Sequence, residues 1–130
     1  MPRSRVSKSW NDLLHIATAE VRDLVAALPS DLRPQAEALP VVFEPQPRQA
    51  LLDEGWPDDL LGLFEGDSID VPVSERSPVP TRISLFLENL WDYSEDDEEI
   101  YREEIRITYL HELGHYLGLD EGELEERDLL

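Results

Sequence analysis

The sequence predicts an α+β domain, and three observations carry that prediction. An amphipathic helical pattern follows a short basic tail, brief strand-like apolar runs separated by proline-rich stretches fill the middle, and a long helical pattern comes last. A chain of 130 residues has the length of one domain, placed here at residues 10–130, with a short β-sheet packed on the N-terminal and C-terminal helices. Hydrophobic residues make up 41% of the chain, enough for a packed core.

Residues 1–9 lack periodicity and are expected to form a disordered tail. From Ser9, an N-cap with Asp12 three residues on, Trp10, Leu14, Ala17, Val21, Leu24 and Leu28 fall on one helical stripe that Pro29 ends. His15, beside Leu14, reads as a partly buried histidine with no ligand role. Ser30 and Asp31 then stand ready to cap a second short helix through about Leu39. Val41, Val42 and Phe43 form a β-branched and aromatic run, a brief strand. Pro45 to Asp59 has the composition of a connecting loop. Leu60 to Gly66 reads as a short strand ending at a turn, and residues 67–80, with three prolines, as an exposed loop and the obvious place for a lid. Arg82 to Leu87 is the strongest strand signal, with Ile83, Leu85 and Leu87 on one face; it fits either a sheet edge or an interior position. Ser94 to Glu99 is an acidic block suited to the first turn of a helix. That helix runs to Gly118, a natural left-handed stop, with Ile107, Leu110, Leu113 and Leu117 on its buried arc. Arg106 falls within the same arc, about 220° around from His111, where a charge must snorkel or find a carboxylate. Tyr109 and Tyr116 read as core packing.

Composition excludes several functions. With no cysteine there is no disulfide framework, CxxC site or thiol nucleophile, so a metal must be held by carboxylates and the three histidines. Thirty acids against eleven bases give a net charge of -19, a field that repels phosphate backbones and anionic headgroups. Neither nucleic acid nor a membrane is an expected partner. No apolar run approaches the ~20 residues that span a bilayer. Asn11 and Asp12 stand where a secretory leader would need apolar residues, so the expectation is a cytoplasmic protein.

The chemistry concentrates in His111-Glu112-Leu113-Gly114-His115. Two histidines four apart on a helix project within about 40° of each other, so both imidazoles can reach one tetrahedral ion. Glu112, about 100° around from His111, can flank a metal-bound water as general base. Zinc brings the pKa of such a water to roughly 7. Gly118, three residues after His115, lets the chain reverse and return Glu121 to a zinc ion (Zn2+) as third ligand, with the fourth position open. Asp120 is the competing acid. A third ligand farther along would have only Glu125 or Glu126 to draw on, and no EF-hand spacing is present.

The segment from His111 to Glu121, preceded by Ile105 to Leu110, resembles the small bacterial zincin-like metallopeptidases, or minimal zincins, with their metzincin-like HExxHxxGxx[D/E] pattern. Leu61 to Gly66 and Arg82 to Phe86 resemble that family's central segments, so the resemblance spans most of residues 10–125. It implies a compact domain with a short sheet over the active-site helix, and peptidase activity. Two departures stand out. The family usually has Asp where this chain has Glu121, and the methionine turn of metzincins proper has no counterpart, since the only methionine is Met1. The expected function is zinc-dependent hydrolysis of peptide bonds in a peptide or protein substrate; the acidic density around the motif reads first as a solvated surface, and the sharper alternative is that it selects basic peptides or a basic partner. The rival expectation is a metal-stabilised acidic interaction module without turnover; a third is hydrolysis of a non-peptide amide.

Overall fold

The computed structural model describes residues 8–130. The expected disordered tail falls, for residues 1–7, outside the described residues. Lys8 pairs with Glu98 at 2.9 Å, and the Ser9 hydroxyl accepts the Asp12 N–H at 3.1 Å, capping helix α1, Trp10–Ala26.

Helix α1 buries Leu13, Ile16, Ala17 and Val21, whereas Trp10, Leu14 and Leu24 of the expected stripe are only half-buried. Apolar residues cover more than half of this helix's circumference, so the helices it packs against select the inward face. His15 is exposed, not partly buried as expected. Helix α2, Arg33–Ala38, starts without a side-chain cap. Asp31 instead takes both Arg127 nitrogens, Nη1 at 3.3 Å and Nη2 at 2.7 Å.

Three strands form one sheet in the order β1-β3-β2, with β1 at Val41–Glu44, β2 at Gly62–Glu65 and β3 at Arg82–Phe86. β3 is therefore the interior strand, parallel to β1 and antiparallel to β2. Its inward residues Ile83 and Leu85 join Val41, Phe43 and Phe64 in the main core. The outward face packs Phe86 and Leu63 against Leu51, which belongs to helix α3, Gln49–Asp53. That helix lies inside the stretch expected to be loop. Five residues offer little more than one turn of periodicity, so its single buried anchor carried no pattern.

β3 runs straight into helix α4, Leu87–Tyr93, which buries Leu87, Leu90 and Trp91. Leu87 thus begins a helix and does not end the strand: its i, i+3, i+4 partners override the alternation that precedes it. Helix α5, Glu98–Leu117, starts where the acidic block predicts, with the Asp97 carboxylate accepting the Ile100 N–H at 3.1 Å. Its buried face is Tyr101, Ile105, Thr108, Tyr109, Leu110 and Leu113, because both α1 and the sheet pack on it; of the expected arc Leu110 and Leu113 are buried, whereas Ile107 and Leu117 lie at the margins. This rotation leaves Arg106 exposed, so it needs no buried partner. Tyr101 donates its hydroxyl to the Leu13 carbonyl at 3.0 Å, and burial raises its pKa. Burial likewise pushes Tyr109 up to about 12. A last helix, α6, Glu121–Glu126, comes after a short reversal and is anchored by buried Leu124. The loop at 67–80 is mostly exposed, and the Ile69 N–H ties it to the Tyr116 carbonyl at 2.7 Å.

Candidate metal centre

His111 and His115 occupy the final turns of α5, and the conformation of the chain just beyond this helix decides whether a third ligand can return. Gly118 adopts φ 72°, the left-handed cap that suits glycine, and the Leu119 N–H bonds to the Gly114 carbonyl at 2.8 Å. Gly114 matters as much as Gly118. A Cβ there would stand 2.9 Å from the Leu119 carbonyl oxygen and 3.1 Å from Leu124 Cδ1, so only a bare helix surface admits the returning chain. The sequence motif leaves that position free, and spacing alone does not single it out.

The reversal places Glu121 in the first turn of α6, with its Oε1 2.9 Å from His111 Nε2. Two ligands each ~2.1 Å from a tetrahedral zinc lie about 3.4 Å apart, so this directly contacting pair would have to open slightly to admit the ion. His115 lines the same cleft of about 650 Å³ as His111 and Glu121. Its Nδ1, however, faces Glu112 Oε1 at 3.4 Å. Among the described residues no three His, Asp or Glu side chains are gathered into a ready metal cage. The structure thus brings His111 and Glu121 together and sets His115 beside them without closing the triad.

Asp120 has other work. Its Oδ1 accepts the Glu123 N–H at 2.8 Å while Glu123 Oε1 accepts the Asp120 N–H at 3.3 Å, a complete capping box for α6. Glu112 is the most enclosed of the candidate residues, its side chain 13% exposed against 36% for His111, 64% for His115 and 67% for Glu121. Its Oε1 accepts the Phe64 N–H from β2 at 2.8 Å. That contact has no counterpart in the sequence reading, because a backbone amide has no letter.

Two imidazoles and a carboxylate on one open cleft form a donor set suited to zinc. The family model for zincin-like metallopeptidases matches residues 36–129, and the chain belongs to that family. A search of curated proteins gave no match. The matched segment begins inside α2, so α1, which packs along α5, lies outside it. Among the described residues no helix is long and apolar enough to cross a membrane.

Proposed function

We propose that the protein is a zinc-dependent peptidase in which His111, His115 and Glu121 hold the metal and Glu112 is the general base. The observation that carries this reading is the 2.9 Å approach of Glu121 to His111, on the cleft that His115 also lines. Zinc supplies Lewis acidity there, acidifying a water and polarising the scissile carbonyl. Glu112 takes the proton of the attacking water as the oxygen–carbon bond forms, then delivers it to the leaving nitrogen as the carbon–nitrogen bond breaks. Its enclosed carboxylate suits that work, since a half-dry base keeps a defined orientation. Asp120, Glu121 and Glu123 line the cleft and give it an acidic rim, which favours a basic stretch in the substrate.

The test is zinc content and peptide hydrolysis measured together on wild type, Glu112→Gln and His115→Ala, with lysine-rich and neutral peptides in the panel. We expect about one zinc per chain in wild type and Glu112→Gln and much less in His115→Ala. Hydrolysis should fall about 100- to 10,000-fold in Glu112→Gln. Equal hydrolysis by Glu112→Gln and wild type would overturn the mechanism, and zinc bound without turnover of any peptide would turn the reading toward the acidic interaction module.

A further inference from the structure

We propose that the backbone N–H of Phe64, on the open edge of the sheet, is the group that positions Glu112 for proton transfer; this rests on the reading of Glu112 as the base. The Phe86 N–H bonds to the Leu61 carbonyl at 3.0 Å, and in this antiparallel register pairing alternates. Gly62 and Phe64 therefore direct their N–H groups away from β3, toward the side where no further strand lies among the described residues. An amide there would ordinarily be left to water. Here it reaches 2.8 Å to Glu112 Oε1.

The contact arises from how β2 lies on α5. At Gly62 the two elements nearly touch, for a Cβ on that residue would stand 2.6 Å from Thr108 Cγ2. From there two strand residues advance about 6.6 Å to Phe64, while four helix residues advance about 6 Å from Thr108 to Glu112. The matched advance delivers the amide to the carboxylate. One helical turn further, the Tyr116 ring meets the Phe64 ring at 5.7 Å between centroids, holding the strand against the helix beyond the contact as Gly62 does before it.

The consequence for the base is specific. Oε1 takes both of the contacts that the carboxylate makes among the described residues, the Phe64 N–H and His115 Nδ1. Oε2 is left without such a contact, so on this reading the amide selects which oxygen handles the proton and fixes the plane of the carboxylate. The role is positioning, since Phe64 touches no reacting atom.

Replacing the peptide bond before Phe64 by an ester, with phenyllactate at position 64 of the full zinc-loaded chain, removes the donor and keeps the side chain. We expect kcat to fall about 10- to 100-fold, as a small misplacement of a catalytic group does, with KM and zinc content unchanged. A second readout needs neither metal nor substrate. In the metal-free protein the Phe64 amide should exchange with solvent about 10-fold or more faster in Glu112→Ala than in wild type, while the amides of β3 keep their protection. Unchanged kcat in the ester variant, or Phe64 exchange indifferent to Glu112→Ala, would overturn the inference. So would a fall in kcat that comes with lost zinc or lost β3 protection, which marks a purely structural contact. The two readings fail separately: an inactive Glu112→Gln beside a fully active ester variant removes only this inference, whereas a fully active Glu112→Gln removes the base itself.

Discussion

Asp120 and Glu121 are neighbouring acids that the structure gives different work, and the difference can be measured. Asp120 is bound into the cap of α6 through the Glu123 N–H, whereas Glu121 stands against His111 Nε2. Asp120→Ala should therefore cost about 1 kcal/mol of stability, as the loss of an N-cap usually does, with zinc affinity little changed. Glu121→Ala should leave the metal-free protein about as stable as wild type in a urea titration and weaken zinc binding by more than the roughly 10- to 100-fold that the loss of a group merely supporting a ligand costs. The reverse pattern would make Asp120 the ligand. His111, Glu112 and His115 were legible in the sequence because a four-residue helical step fixes their relative direction whatever surrounds them. Glu121 was legible by count alone. Gly114 and the Phe64 N–H were not, since their importance lies in which segment packs across them.

At the scale of elements, legibility tracked length and anchoring. The patterns of α1 and α5 repeat over several turns, and β3 alternates apolar residues around Ser84, so their existence showed in the sequence although the buried faces of the two helices were rotated from the expected arcs. Helices α3, α4 and α6 have between five and seven residues and rest on one to three buried side chains each. Such segments are made helical by the surface they land on. The outward face of the sheet illustrates what else only tertiary structure assembles. Glu65 lies opposite Arg82 across β2 and β3, with Arg82 Nε at 3.4 Å and Arg48 Nη2 at 2.5 Å. Burial works to raise the Glu65 pKa, but the hydrogen bond and charge of Arg48, with Arg82 behind it, hold the carboxyl below its ordinary value. A carboxyl depressed in the folded state contributes stability that is present above its unfolded pKa of about 4.3 and is lost as pH falls through the folded value. Urea unfolding of wild type and Glu65→Gln, compared from about pH 6 down to about pH 3, should show a gap in stability that holds at the upper end and narrows on acidification. A gap that widens toward acid would mean that burial of the charge outweighs the two arginines.

For the whole molecule, the governing quantity is the net charge of -19 on a single small domain. Its ion pairs include Arg127 with Asp31, Lys8 with Glu98 and Arg22 with Asp23, and most of the partners are more than a third exposed. Exposed pairs contribute little each, and salt weakens them. Against them stand the many acids left without a basic partner by a ratio of thirty to eleven, whose mutual repulsion opposes compaction at every separation shorter than the screening length. That length is about 30 Å at 0.01 M and about 10 Å at 0.1 M, so adding a monovalent salt removes the repulsion across the domain before it removes the contacts at about 3 Å. Repulsion wins on numbers and on range. The Tm of the metal-free protein at neutral pH should therefore rise as sodium chloride goes from about 0.01 M to about 0.3 M, with most of the gain below about 0.1 M, where the screening length shrinks through the dimensions of the domain. The same titration at a pH where most carboxylates are protonated should show little rise, because the repelling charges are gone. A Tm that falls with salt at neutral pH would instead assign the electrostatic balance to the ion pairs, with Arg127 and Asp31, which tie α6 and its Glu121 to the start of α2, as the first pair to remove.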